Sequence, residues 1–66
     1  MKKLQTRIAL YREIKGISRL ELTKRLGCSY PSMMKYESGE RMPPKDIVIQ
    51  LCDLFGCKID DLFFLN

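Results

Sequence analysis

An all-α domain of five short helices is the fold this sequence predicts, and three features predict it. Glycine and proline divide the chain into pieces of helical length. Apolar residues inside those pieces recur three and four positions apart, and nowhere do apolar and polar residues alternate as in a half-buried strand.

The first helix is expected over Leu4–Lys15, which contains no breaker and sets Leu4, Ile8 and Tyr11 on one face. Lys15-Gly16 reads as its stop. Ser18-Arg19-Leu20-Glu21 has the form of a capping box, in which the serine hydroxyl accepts the amide three residues on and Glu21 reaches back. A second helix over Arg19–Leu26 comes next, with Leu22 and Leu26 inward and Gly27 closing it. Ser29 can cap a third helix to about Tyr36, because Pro31 then falls in the first turn where no amide hydrogen is required. Met33 and Tyr36 face inward, and Ser38-Gly39 ends the helix. The prolines at 43 and 44 delay the fourth helix to about Lys45. It runs to Phe55 with Ile47, Leu51 and Leu54 on one face and Val48, Cys52 and Phe55 beside it. After Gly56 a short helical turn, Asp60–Phe64, opens with aspartates that suit the positive end of a helix dipole.

Sixty-six residues make one domain, 1–66. A chain so short removes only about 60 % of its unfolded surface from water, so a partner subunit would help it. The net charge is +4, unevenly spread: residues 1–27 hold eight Lys/Arg against two acids, whereas 47–66 hold Lys58 against Asp53, Asp60 and Asp61. One basic and one acidic end suit a protein that meets a polyanion with one face. No apolar run approaches the roughly 20 residues of a membrane span. Arg7 and Arg12 interrupt the stretch after Met1-Lys2-Lys3, so a signal peptide is not expected and the cytoplasm is. Three cysteines without histidine offer neither a four-ligand zinc site nor a disulfide framework; buried reduced thiols are expected. With no histidine, no close carboxylate pair and no phosphate-cradling glycine loop, the chain is not expected to be an enzyme, nor to need a cofactor, metal or small-molecule ligand.

The second and third helices, joined around Gly27-Cys28-Ser29, have helix-turn-helix geometry over about residues 18–38. Spacing alone is weak, since many helical hairpins share it. The string Lys15-Gly16-Ile17-Ser18, Glu21-Leu22, Leu26-Gly27-Cys28-Ser29 and Lys35-Tyr36-Glu37-Ser38-Gly39 is more specific, and it continues through Arg41-Met42-Pro43, Leu54-Phe55-Gly56-Cys57 and Asp60-Asp61-Leu62-Phe63. Across residues 7–64 it resembles the phage-repressor (Cro/repressor, xenobiotic-response-element) helix-turn-helix family.

That resemblance implies a five-helix, lambda-repressor-like domain that binds operator DNA as a two-fold dimer with its third helix in the major groove. It assigns base reading to Tyr30, Pro31, Ser32, Met34 and Lys35. Of these, Lys35 is suited to guanine O6/N7, and Pro31 and Met34 only to apolar contact with a thymine methyl. Phosphate positioning falls to Arg19, Ser29, Ser38, Arg41 and Lys45. Arg19 stands where the family usually has a glutamine that also braces the third helix, and Ser38 where it often has asparagine. Arg12 and Glu37 occupy the positions of a family ion pair that fixes the third helix. Lys2 and Lys3 read as a basic arm.

Leu10 and Ile14 are apolar where the family is generally polar, and Phe63, Phe64 and Leu65 form an apolar tail. Leu62, Phe63, Phe64 and Leu65 are therefore the expected dimer interface, setting the third helices about 34 Å apart, with Leu10 and Ile14 extending it or meeting a second protein. The function expected is a sequence-specific transcriptional regulator, a repressor in the first reading with activation open. The alternative is a protein-interaction module of the same fold, such as an antitoxin or anti-repressor.

Overall fold

A computed structural model describes residues 4–65. Five helices succeed one another: α1 (Ile8–Lys15), α2 (Arg19–Leu26), α3 (Tyr30–Ser38), α4 (Lys45–Phe55) and α5 (Ile59–Leu62). Two short strands frame them, β1 (Leu4–Thr6) before α1 and β2 (Phe63–Leu65) after α5, paired antiparallel with Gln5 opposite Phe64. The Lys2–Lys3 arm lies outside the described residues.

The capping serines act at the expected positions. The Ser18 hydroxyl accepts from the Glu21 amide at 3.0 Å, and that of Ser29 from the Ser32 amide at 3.2 Å. Each satisfies an amide that a helix start leaves without an intrahelical partner. Glu21 does not close the capping box; its carboxylate accepts from Arg25 one turn on, at 2.8 Å.

One hydrophobic core holds the helices together. Ile8 from α1, Leu22 from α2, Met33 from α3, Leu51 from α4 and Leu62 from α5 are fully buried at its centre. Tyr11 and Phe55 stack with ring centroids 5.6 Å apart, closing the core between α1 and α4. All three cysteines are half-buried against this core as free thiols. Desolvation pushes the Cys28 and Cys57 thiols above their ordinary value, as expected of packing residues.

The two ends depart from the sequence expectation, and for one reason. Leu4–Thr6 is a strand rather than the first turn of α1, and the last helix stops at Leu62. The Arg7 amide donates to the Leu62 carbonyl at 2.9 Å, just beyond the last paired residues of the two strands. Cross-strand bonds between the chain's ends thus replace the intrahelical bonds that each would have made locally. Leu4 still packs on the core, but as a strand residue.

The same pairing corrects the expected interface. Leu62 and Phe63, expected at a dimer contact, are buried within the chain's own core. Phe64 is half-buried with the Arg7 guanidinium 4.4 Å from its ring centre, which leaves Leu65, 63 % exposed, as the free part of the tail.

β1 also fixes the far end of α3. The Thr6 hydroxyl donates to the Glu37 carbonyl at 2.7 Å. Gly39 turns the chain with φ +82°, and a Cβ at that point would overlap the Leu4 carbonyl oxygen. Glycine is needed here twice over, for the left-handed backbone and for the close approach.

Candidate nucleic-acid interface

α2 and α3 form a helix-turn-helix around Gly27, whose left-handed φ of +69° reverses the chain. The angle of α3 is set by Glu37 in its last turn. The Glu37 side chain is only 6 % exposed, and its two oxygens accept from different helices: Oε2 from Arg12 Nε of α1 at 3.2 Å, Oε1 from Arg19 Nε of α2 at 3.3 Å. Arg12 is itself held, donating through Nη1 to the Ile17 carbonyl at 3.0 Å. One carboxylate therefore ties three helices together. The Arg12–Glu37 pair that the resemblance implied is present, and the Glu37 carboxylate is buried against both arginines.

Arg19 does more than the resemblance assigned. Besides meeting Glu37, its Nη1 donates to the Tyr30 hydroxyl at 3.4 Å, with the guanidinium 5.9 Å from the Tyr30 ring centre. The Tyr30 hydrogen bond, then the Glu37 charge, hold the Arg19 pKa above its ordinary value. Arginine thus braces the third helix in the place of the family's glutamine. Its side chain remains 36 % exposed.

The outer face of α3 is open. Pro31, Met34, Lys35 and Ser38 line a shallow concavity of about 350 Å³ together with Glu40 from the adjoining loop. Met34, Lys35 and Pro31 are exposed, as is Tyr30 at the helix start. Ser32 is half-buried and accepts from the Ser29 hydroxyl at 2.8 Å, which leaves its own proton available. Ser38 is committed internally: its hydroxyl donates to the Lys35 carbonyl at 3.0 Å and accepts from the Glu40 amide at 3.2 Å. To serve a phosphate it must first release that carbonyl. Arg41 is exposed on the loop, whose turn is closed by its amide on the Lys35 carbonyl at 3.3 Å.

Lys45 is not brought to this concavity. It lines a second, apolar groove of about 540 Å³ with Met42, Pro43, Val48, Ile49, Cys52 and Ile59. Sequence reasoning missed this groove, although Met42, Ile49 and Ile59 are apolar residues outside the inward spacing of their segments. Leu10 and Ile14 are exposed on α1, with Leu20 exposed on α2. Among the described residues no helix is long and apolar enough to cross a membrane, and no group of metal-ligating side chains comes together.

Comparison with known proteins agrees with this geometry. A family model described as a helix-turn-helix domain matches residues 4–63. The uncharacterized HTH-type transcriptional regulator MJ0272 of Methanocaldococcus jannaschii is 27 % identical over 60 residues, 91 % of each chain. The cryptic phage CTXphi transcriptional repressor RstR of Vibrio cholerae is 30 % identical over 91 % of this chain, which spans 54 % of RstR's length. The crystal structure of a putative DNA-binding protein from Bacteroides fragilis superposes with a TM-score of 0.77 at 18 % identity, covering 92 % of this chain and 98 % of that one. At that identity the likeness concerns the fold alone.

Proposed function

The chain belongs to the helix-turn-helix domain family, and from that premise we propose that it is a transcriptional regulator, a repressor, that binds duplex DNA as a two-fold dimer with α3 in the major groove. Membership places it among DNA-binding regulators rather than enzymes. The observation that carries the proposal is the division of α3 into two faces. Its inner face is anchored by Met33, Tyr36 and the buried Glu37, while Pro31, Met34 and Lys35 are exposed and line the outer concavity.

On this reading Lys35 donates to guanine O6/N7, and Tyr30 and Ser32 offer hydroxyls to base edges or phosphate. Pro31 and Met34 supply apolar contact to thymine methyls. Arg19, from α2, and Arg41, on the loop after α3, hold phosphates beside the groove, with Ser29 and, after rotation, Ser38 as weaker donors. Because α3 carries few base-reading amides, DNA shape contributes to selectivity. The 66 residues act as one DNA-binding domain, in the cytoplasm where its duplex target lies.

Titration onto a labelled duplex at two salt concentrations tests the proposal. With several phosphate contacts, affinity should fall steeply, by about a factor of ten or more between 50 and 200 mM salt. Binding that is absent at low salt would refute it and favour a protein-interaction module of the same fold.

A further inference from the structure

We infer that Cys52 and Cys57 form a dithiol site that closes to an intramolecular disulfide by exchange with a low-molecular-weight disulfide such as oxidised glutathione, pinning the corner between α4 and α5. Two observations bring the thiols together. α4 ends in a left-handed turn at Gly56, with φ +64°, beyond which the Cys57 amide donates back to the Cys52 carbonyl at 3.1 Å. That bond closes a Schellman motif, whose first and last side chains commonly pack on each other. Here both are cysteines. A backbone bond of that length also keeps the two Cα atoms within the roughly 4.4–6.8 Å that a disulfide spans. The second observation is that the thiols act on each other. Burial comes first in raising Cys57 above its ordinary pKa, and the Cys52 thiol comes next, ahead of Asp61.

The surroundings assign the order of attack. Both are half-buried free thiols, but Cys52 lines the apolar groove beside α4, where a small disulfide reaches its sulfur. The Cys52 thiolate attacks one sulfur of the reagent, forming a mixed disulfide and expelling a thiolate that takes up the proton Cys52 released. Cys57, deprotonated in turn, attacks the Cys52 Sγ and expels the second thiol. Two hydrogens and two electrons pass from the protein to the reagent, which leaves as two thiols. Because burial disfavours the Cys57 thiolate, the exchange is slow, and the pair follows the standing thiol–disulfide balance rather than a brief oxidant pulse.

Cys28 supplies the internal control. It lies in the turn between α2 and α3, with its thiol directed at the Thr23 carbonyl 4.0 Å away. The fold already holds Cys52 and Cys57 side by side, so folding and the disulfide favour each other by one common factor. The inference stands apart from the DNA reading, since neither thiol lines the α3 concavity.

Equilibrating the full chain in buffers of reduced and oxidised glutathione, native and in concentrated urea, tests the inference by acid quench and peptide mass mapping. The tryptic peptide 46–58 contains both thiols, and 26–35 contains Cys28. Peptide 46–58 should lose two hydrogens, with an equilibrium constant against glutathione about tenfold or more larger in the native chain than in urea. No link to peptide 26–35 should form. The oxidised chain should unfold at a higher urea concentration than the reduced one. Cys28→Ser should leave the equilibrium unchanged, and Cys57→Ser should stop at the glutathione adduct on Cys52. A native chain that stays reduced in large excess of oxidised glutathione, a constant no larger than in urea, or a bridge that includes Cys28 would overturn the inference. The native-to-urea comparison uses the wild type, so it decides even if a serine variant fails to fold.

Discussion

Replacing Glu37 with alanine should cost the fold about 3 kcal/mol, at the lower end of the loss seen when one member of a buried ion pair is removed. Three features set the figure. Glu37 and Arg12 have side chains only 6 % and 13 % exposed, so without the carboxylate Arg12 is left as a buried charge held by the Ile17 carbonyl alone. Arg19, 36 % exposed, can turn toward water, and its share of the loss is the smaller one. The acid's methylenes contribute little area. In a domain of this size each kcal/mol lowers Tm by roughly 4–8 °C, so a fall of about 12–24 °C is expected. Urea unfolding followed by circular dichroism gives the free energy directly, and an unchanged m-value confirms that the folded state is otherwise intact. Combining Glu37→Leu with Arg12→Met should recover most of the loss, since neither charge then remains buried. A loss below about 1 kcal/mol for Glu37→Ala would refute the reasoning. The pair would then be a surface decoration, and something else would hold α3 at its angle.

Three other substitutions separate reading, positioning and folding. Lys35→Ala should weaken binding to a selected duplex by about 1–3 kcal/mol while leaving random duplex nearly unaffected, as read by fluorescence anisotropy. Equal losses on both would remove Lys35 from base reading. Arg41→Ala should weaken all duplexes alike and flatten the salt slope by about one unit, and a sequence-dependent effect would contradict its role on phosphate. Gly39→Ala should destabilise the fold by about 1–3 kcal/mol or more, because alanine is strained at that φ and its Cβ meets the Leu4 carbonyl. A melting temperature within a degree or two of wild type would show that β1 gives way freely.

The middle of the chain was legible because its signals are local. Ser18, Ser29 and Gly27 mark the turns of the helix-turn-helix by side-chain hydrogen bonds and a positive φ that act within a few residues. The Arg12–Glu37 pair came from resemblance, and the structure adds Arg19 as the second donor to the same carboxylate. The ends were not legible. Three residues, Leu4-Gln5-Thr6, are too few to tell alternation from helical spacing, and the partner strand lies at the far end of the chain. Leu4 fits an inward helical position as well as it fits the strand, so its burial was right for the wrong reason. The same non-local pairing buries Phe63, an apolar residue that, read as part of a tail, suggested an interface.

Amide mapping by two-dimensional NMR tests most directly whether α3 presents its outer face to a duplex. As selected duplex is added to labelled protein, the largest shifts should fall on Arg19 and on Ser29 to Arg41, with the interior of α1 nearly still. Shifts confined to the α4 groove or to Leu10 and Ile14, with the outer face of α3 unmoved, would contradict it.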